Sequence, residues 1–189
     1  MPVISRPRDV GRTLGPASLR RVLLPLALVV AISLLPVAGV AATNALGWKA
    51  GDNNIVSFNL SALTTTIHDA WHFNNTNSID PTDISPTHAH DSSGLVTVTD
   101  AGYGDTGWYG AYYCNVFNYN GTKCYDGRVL INLTYGPYSN TEARSLVCEE
   151  VGHSVGLDHR ASTAASCMSQ QFDETLLDTH DKGILNSKY

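Results

Sequence analysis

Positive charge is scarce in this sequence of 189 residues once its first 42 residues are set aside. Five of the 12 Lys and Arg residues precede residue 43, together with one of the 17 Asp and Glu residues. Residues 43–189 therefore carry seven basic and 16 acidic side chains, a formal charge of −9. An acidic surface repels phosphate backbones, so no nucleic acid partner is expected. The sequence also lacks internal repeats and low-complexity linkers, which predicts one domain over residues 43–189.

A long apolar run occurs near the N-terminus, over residues 22–42, behind five arginines. Its end contains small residues at Val40 and Ala42, which predicts a signal peptide over residues 1–42 and a secreted protein. Export would use the general secretory route or, because of the paired Arg20 and Arg21, the twin-arginine route. Once the peptide is cleaved, no lasting membrane association is expected. The alternative is a retained membrane anchor, since the run is long enough to span a bilayer.

The chain has four cysteines. In an exported protein four cysteines indicate two disulfides rather than free thiols, and they allow three pairings. Cys114 and Cys124 flank a polar turn and could close a hairpin, in which case Cys148 would pair with Cys167.

Hydrophobic periodicity predicts the first elements of the domain. Apolar side chains at helical spacing predict an amphipathic helix over about residues 59–73. The polar, proline-containing residues 74–93 are typical of a loop. β-Branched and aromatic runs then predict strands over three segments, residues 94–100, 107–113 and 127–135.

A second helix should follow the last of these strands. Four apolar residues recur along it with i, i+4 spacing: Ala143, Val147, Val151 and Val155. Asn140 or Thr141 is expected to cap its start, and Gly156 should end it, because glycine adopts the left-handed conformation without steric cost. A short C-terminal helix capped by Asp178 completes an α+β fold.

Residues 102–107, Gly-Tyr-Gly-Asp-Thr-Gly, match the dinucleotide-binding fingerprint literally. That motif holds a pyrophosphate only where a helix N-terminus follows it. The residues that follow are aromatic and typical of a strand. We therefore interpret these glycines as turn and bulge positions, and no dinucleotide cofactor is expected.

The stretch CEEVGHSVGLDHR, residues 148–160, contains two overlapping catalytic motifs. Residues 152–156 match the G-x-S-x-G elbow of serine hydrolases, with Ser154 as the nucleophile. Its nominal partners would be His159, Asp173 and His180. Because the elbow requires a strand before the serine and the preceding residues have helical spacing, a serine hydrolase is the weaker alternative.

The second motif places metal ligands on one helix face. Residues four apart on a helix project together, so Glu149 and His153 face the same side. Gly156 can reverse the chain and return His159 to them, and imidazole and carboxylate groups are both zinc ligands. Glu150 lies about 100° further round the helix, where its carboxylate can take a proton from water without binding the metal.

With these residues the sequence resembles the metzincin metalloproteases, and their matrixin branch in particular. Residues 149–159, EEVGHSVGLDH, are similar to the motif H-E-x-x-H-x-x-G-x-x-H in all but the first position. Residues 127–135 resemble the strand before the active-site helix, and residues 180–189 resemble the closing helix. The resemblance implies a metzincin-like (zincin) domain with a twisted, mostly parallel sheet, an antiparallel edge strand, an active-site helix, a Met-turn at Met168 and a C-terminal helix.

The resemblance also implies a function. It implies a secreted metalloendopeptidase with one catalytic Zn²⁺ bound by His153 and His159, in which Glu150 acts as general base and then as general acid. The substrate would be an extended peptide or protein bound along a rim formed by residues 94–113. A Met-turn beneath the active-site helix would also bring Cys167 near Cys148. Neither a structural Ca²⁺ site nor the oligomeric state is indicated by the sequence.

Glu149 stands where the family has histidine, and two hypotheses follow. In the first, Glu149 is the third ligand of a Glu/His/His set, which zinc accepts. In the second, the metal site is lost and the domain is a catalytically impaired binding protein. The presence of the remaining motif residues and of Met168 favours the first. An anionic ligand would leave the metal less Lewis-acidic and slow the attack of water.

Four histidines remain outside these motifs in the first half of the domain. His68 and His72, four residues apart on the first predicted helix, are expected to make surface contacts. The segment His-Ala-His-Asp at residues 88–91 is expected to be part of a loop, with a second metal site as the alternative.

Overall fold

A mixed β-sheet is the framework of the domain in the computed structural model, which describes residues 3–5, 44–90 and 94–189. Its strands are β1 Val3–Ser5, β2 Lys49–Ala50, β3 Ile55–Ala62, β4 Ser85–Ala89, β5 Val96–Ala101, β6 Gly110–Phe117 and β7 Lys123–Asn132. They run in the order β1-β6-β7-β5-β3-β4, with β2 paired to β7. Strands β4, β3, β5 and β7 are parallel, whereas β6 is antiparallel to β7. The prediction of a mostly parallel sheet with one antiparallel strand at its side is confirmed in this part of the chain.

Strand β1 lies beyond β6 and comes from the N-terminal segment. Residues 3–5 pair antiparallel with residues 110–112, so β6 is not the outermost strand along these three residues. The rest of the predicted signal peptide, residues 1–2 and 6–42, lies outside the described residues. Within residues 44–90 and 94–189, none of the helices has the length and apolar character needed to cross a membrane.

Two predictions for residues 55–93 were wrong at the level of secondary structure. The first helix, α1 Thr65–Asn74, begins later than predicted, because residues 55–62 form β3. Val56, Phe58 and Leu60 alternate towards the core and are at most 2% exposed, so strand periodicity prevails over the apparent helical spacing. The predicted loop contains a π-helical turn, Asn75–Ile79, and strand β4. Among the described strands β4 pairs with β3 alone, and as an edge strand it can carry polar side chains.

The second helix, α2 Asn140–Ser154, packs against α1 and against β6 and β7. Its N-cap is Ser139 rather than Asn140 or Thr141. The Glu142 amide donates to Ser139 Oγ at 3.3 Å, and the Ser139 amide donates to Glu142 Oε2 at 2.8 Å. This capping box satisfies two helix-end groups at once, which explains the earlier start. The third helix, α3 Thr179–Lys188, is capped by Asp178 as predicted.

Two disulfides join the elements around α2 and β6. Cys114 pairs with Cys124 across the β6–β7 hairpin, and Cys148 of α2 pairs with Cys167. The second bridge ties α2 to the short 3₁₀ turn Cys167–Ser169 over a sequence separation of 19, which stabilises the fold by about 3 kcal/mol in the loop-entropy estimate. Both bridges indicate an oxidising environment for the folded protein.

The glycine-rich residues 102–107 connect β5 to β6 and have no helix after them. Gly104 and Gly107 adopt positive φ angles of 83° and 73°. The interpretation as turn positions is confirmed for Gly104 and Gly107, and the segment offers no helix N-terminus to a dinucleotide phosphate.

Gly156 reverses the chain directly after α2, at a φ angle of 100°. We expect Gly156→Ala to lower the free energy of unfolding by roughly 1–2 kcal/mol from backbone strain alone. An added methyl group would also collide with the Trp48 carbonyl oxygen, which adds to that loss. Urea titration measures the change. The matched control is Gly183→Ala in α3, where a methyl group meets nothing within 4 Å and should stabilise the helix by about 0.5–1 kcal/mol. Equal stability of the two variants would contradict the explanation.

Candidate metal centre

Three side chains converge at the C-terminal end of α2, as the motif spacing predicts. Glu149 and His153 project from the same helix face, and the turn at Gly156 returns His159 to them. One ligand atom from each lies within 4.8 Å of the others, and no other group of three or more His, Cys, Asp or Glu side chains among the described residues meets this limit. His153 Nε2 lies 3.0 Å from His159 Nε2, which in turn lies 3.1 Å from Glu149 Oε1. We call these three residues the metal centre.

The second nitrogen of His153 is fixed by the backbone. Its Nδ1 lies 2.8 Å from the carbonyl oxygen of Leu157 and donates to it in the neutral ring, so that Nε2 carries the free lone pair. His153 is fully buried, and burial lowers its pKa from 6.5 to about 4, although the nearby Glu149 carboxylate opposes this shift. The imidazole is therefore neutral at pH 7, which is the form that binds a metal.

The donor set and its spacing fit a zinc ion. Two ligands at about 2.0–2.1 Å from zinc in a tetrahedral site lie about 3.3 Å apart. The observed separations of 3.0 and 3.1 Å are close to this value. Two imidazoles and one carboxylate also form a known catalytic ligand set. Glu149 thus lies where it could serve as a third ligand beside the two histidines.

Glu150 lies outside the metal centre, between α2 and β6. Its side chain is fully buried, and a methyl group at Gly110 would come within 2.5 Å of Glu150 Oε1. Gly110 therefore leaves the space that the carboxylate occupies beside the β6 backbone. Consecutive positions on α2 thus point in different directions: Glu149 lies beside His153 and His159, whereas Glu150 lies against β6 at Gly110.

Met168 lies beneath α2 and is fully buried in the 3₁₀ turn Cys167–Ser169. Its sulfur packs against the backbone at Gly152, where a side chain would collide with it. Gly152 directly precedes His153, so Met168 and the bridge from Cys148 to Cys167 support the helix turn that bears a ligand.

Gln170 is a residue near the metal centre that the sequence analysis did not identify. Its Nε2 lies 3.3 Å from His159 Nε2, and its backbone is left-handed with a φ angle of 61°. Glutamine at this position belongs to none of the motifs considered above. Only the turn after Met168 brings it to His159.

The arrangement required for a serine nucleophile is absent at Ser154, so the serine-hydrolase alternative is wrong. Ser154 is the last residue of α2, has no strand before it and is fully buried. Its hydroxyl donates to the Val151 carbonyl at 2.7 Å, as a helical serine often does.

The depressed pKa of His153 predicts acid sensitivity of the metal-free protein. The unfolded chain takes up this proton near pH 6.5, whereas the folded protein takes it up only near pH 4. The stabilisation that comes from neutral His153 should therefore be fully present above pH 6.5. As the pH drops towards 4, the free energy of unfolding should fall by about 3 kcal/mol. Chemical denaturation of chelator-treated protein at a series of pH values measures this. The variant His153→Gln should lose that part of the pH dependence, and an unchanged profile in the variant would contradict the assignment.

Comparison with known proteins supports the fold. No protein-family model matches the sequence, and no curated protein matches it. Among solved structures the chain is similar to that of myroilysin, with a TM-score of 0.51 and 12% identity over 75% of this chain and 82% of that chain. At this identity the likeness concerns the fold alone. The chain therefore has a mixed α/β fold, with a mostly parallel sheet and three helices among its described residues, that is compatible with a metzincin-like domain.

Proposed function

We propose that the domain is a secreted, zinc-dependent endopeptidase of the metzincin type. The observation that carries the proposal is the convergence of Glu149, His153 and His159, whose ligand atoms lie within 4.8 Å of one another. Glu150, the residue after Glu149 on α2, adds a carboxylate that is not one of the three. Glu149, His153 and His159 would hold the ion. When bound, zinc supplies a Lewis acid that polarises a peptide carbonyl and makes water more acidic.

The proposed role of Glu150 is proton transfer. As general base its carboxylate takes a proton from the attacking water, and as general acid it then delivers that proton to the leaving amine. Its position one residue after Glu149 keeps it near the ligands without making it one of them. Met168 would form the floor of the centre in the manner of a Met-turn.

Strand β6 is the proposed binding surface for an extended peptide. Its residues 110–112 pair antiparallel with the backbone of residues 3–5, and this pairing supports the proposal that this side of β6 can accept another strand. Main-chain pairing of this kind binds peptides with little dependence on sequence. Because Gly110 also contacts Glu150, a peptide paired here would pass close to the proposed general base.

A metal-binding protein without catalysis is the second candidate. The observation that favours it is the complete burial of Glu150, because a base must reach the water that it activates. The anionic ligand Glu149 acts in the same direction by reducing the Lewis acidity of the ion. Both candidates require the metal centre, and they differ only in whether a peptide is cleaved.

Removal of the metal tests the proposal. The zinc-loaded protein should cleave casein, lose this activity in a zinc chelator and regain it on addition of Zn²⁺, since the Lewis acid is then restored. Quantification of new amino termini measures the rate. Bound zinc without cleavage would identify the binding protein, whereas cleavage that resists the chelator would overturn the metal-dependent mechanism.

A further inference from the structure

Four of the seven histidines gather at the side of the sheet remote from β6. We call them the histidine cluster: His68, His72, His88 and His90. The first two lie on α1, His88 lies on the edge strand β4, and His90 follows that strand. Strands β3, β5 and β7 separate β4 from β6, so this cluster is distinct from the metal centre.

The four rings contact one another directly. His68 Nε2 and His72 Nε2 are 3.3 Å apart. The ring centres of His72 and His88 are separated by 5.0 Å, and those of His68 and His90 by 5.7 Å. The histidine cluster thus brings together four imidazoles, two from α1 and two from β4 and the residue after it.

The spacing of the helical pair matches metal ligation. Two nitrogens bound to one tetrahedral zinc ion lie about 3.3 Å apart, and the Nε2 atoms of His68 and His72 show this separation. The other nitrogen of His68, Nδ1, lies 3.7 Å from Asp69 Oδ1. A carboxylate beside the second ring nitrogen is a common outer partner of a metal-bound histidine.

Trp71 supports two of the rings from the core side. It is 1% exposed, and its ring centre lies 5.1 Å from that of His72 and 5.3 Å from that of His88. The tryptophan thus holds one histidine from α1 and one from β4 against a common surface. It also places a fluorophore beside the cluster.

We propose that the histidine cluster is a second metal site, which takes Zn²⁺ or another divalent ion that prefers imidazole, such as Cu²⁺ or Ni²⁺. His68 and His72 form the preformed half of the site. His88 and His90 complete it by rotation of their side chains, because among the described residues no third His, Cys, Asp or Glu ligand atom lies within 4.8 Å of both helical nitrogens. Both residues are exposed, so their side chains have room for this rotation, although His88 gives up part of its contact with Trp71.

The bound ion would join α1 to β4. These elements are otherwise connected by the π-helical turn and the polar residues that follow it. A metal bridge between them would restrain that connection and so stabilise the sheet edge. The proposal does not depend on the proposed peptidase activity, since none of its residues belongs to the metal centre.

The test counts zinc ions in a protein that lacks the metal centre. The variant His153→Gln/His159→Gln should retain one zinc ion per chain by mass spectrometry after dialysis, and wild type should hold two. Adding His68→Gln/His72→Gln should remove the remaining ion. Titration of Cu²⁺ into the first variant should quench Trp71 fluorescence in a saturable manner, and the quenching should disappear in Trp71→Phe.

Two further variants keep the outcome decisive. The variant His88→Gln/His90→Gln alters only exposed side chains, so it should fold normally. It should weaken zinc binding by more than the roughly 10–100-fold that is lost when a residue merely hydrogen-bonded to a metal ligand is replaced. His180→Gln removes a histidine outside both sites and should leave the stoichiometry unchanged. Two results would overturn the second site: no zinc in His153→Gln/His159→Gln, or an unchanged zinc affinity in His88→Gln/His90→Gln. Neither result would bear on peptide cleavage.

Discussion

Replacement of Glu150 by glutamine should lower kcat for casein cleavage by about 10²–10⁴-fold, the range that general acid–base catalysis contributes. Glutamine has the same size and can fill the same buried space beside Gly110, but it cannot take a proton from water. The zinc content should stay unchanged, because Glu150 is outside the metal centre. Initial rates and metal content, measured on the same preparation, test both parts of the prediction.

The matched control for this experiment is Glu174→Gln, which removes a carboxylate outside both the metal centre and α2. It should retain the wild-type rate. If Glu150→Gln also cleaved casein at the wild-type rate, Glu150 would have no role in proton transfer and another base would be needed. Loss of zinc in Glu150→Gln would instead indicate that its carboxylate supports the centre.

Replacement of Glu149 by alanine should release one zinc equivalent and abolish cleavage. Two histidines alone hold zinc weakly, and the Glu149 oxygen is the third atom of the centre. The experiment is best made in the His68→Gln/His72→Gln background, so that the metal count reports on one site. Isothermal titration with Zn²⁺ should show that the affinity falls by more than about 100-fold. This is more than the loss expected for a residue that only hydrogen-bonds to a metal ligand.

Glu149→His provides the informative contrast, because it creates the three-histidine set of the metzincin motif. A neutral ligand leaves the ion more Lewis-acidic than a carboxylate does, so this variant should bind zinc and show a higher kcat than wild type. Retention of zinc by Glu149→Ala would contradict the assignment. The amide of Gln170, 3.3 Å from His159 Nε2, would then be the first group to test as a replacement ligand.

The metal centre was predictable because its geometry is almost entirely local. Glu149 and His153 share a face through the helical period, and a glycine at Gly156 permits the turn that returns His159. The capping box at Ser139 was available in the sequence as well, as a serine three residues before Glu142. The neighbouring residues Asn140 and Thr141 are also common N-caps, so local preference alone does not choose among the three.

The strands β3 and β4 were not predictable from the same local signals. The segment 55–62 contains Leu60, which continues the spacing of α1, and the segment 85–89 has no large apolar side chain. Pairing with neighbouring strands decides both cases, because backbone hydrogen bonds and burial against the sheet outweigh weak local preference. Such partners lie far apart in sequence, as Phe58 and Val96 do in adjacent strands.

The sequence by itself determined the ligand spacing on α2, the glycine turn after it and the alternation of buried residues in β5 and β7, since helix and strand periods are properties of the local chain. Only the tertiary structure decided what surrounds those ligands. It placed Gly110 against Glu150, brought Gln170 to His159 and gathered histidines from α1 and β4 into one cluster. The physical reason is that these contacts depend on how strands and helices pack across the sheet, which no local pattern encodes.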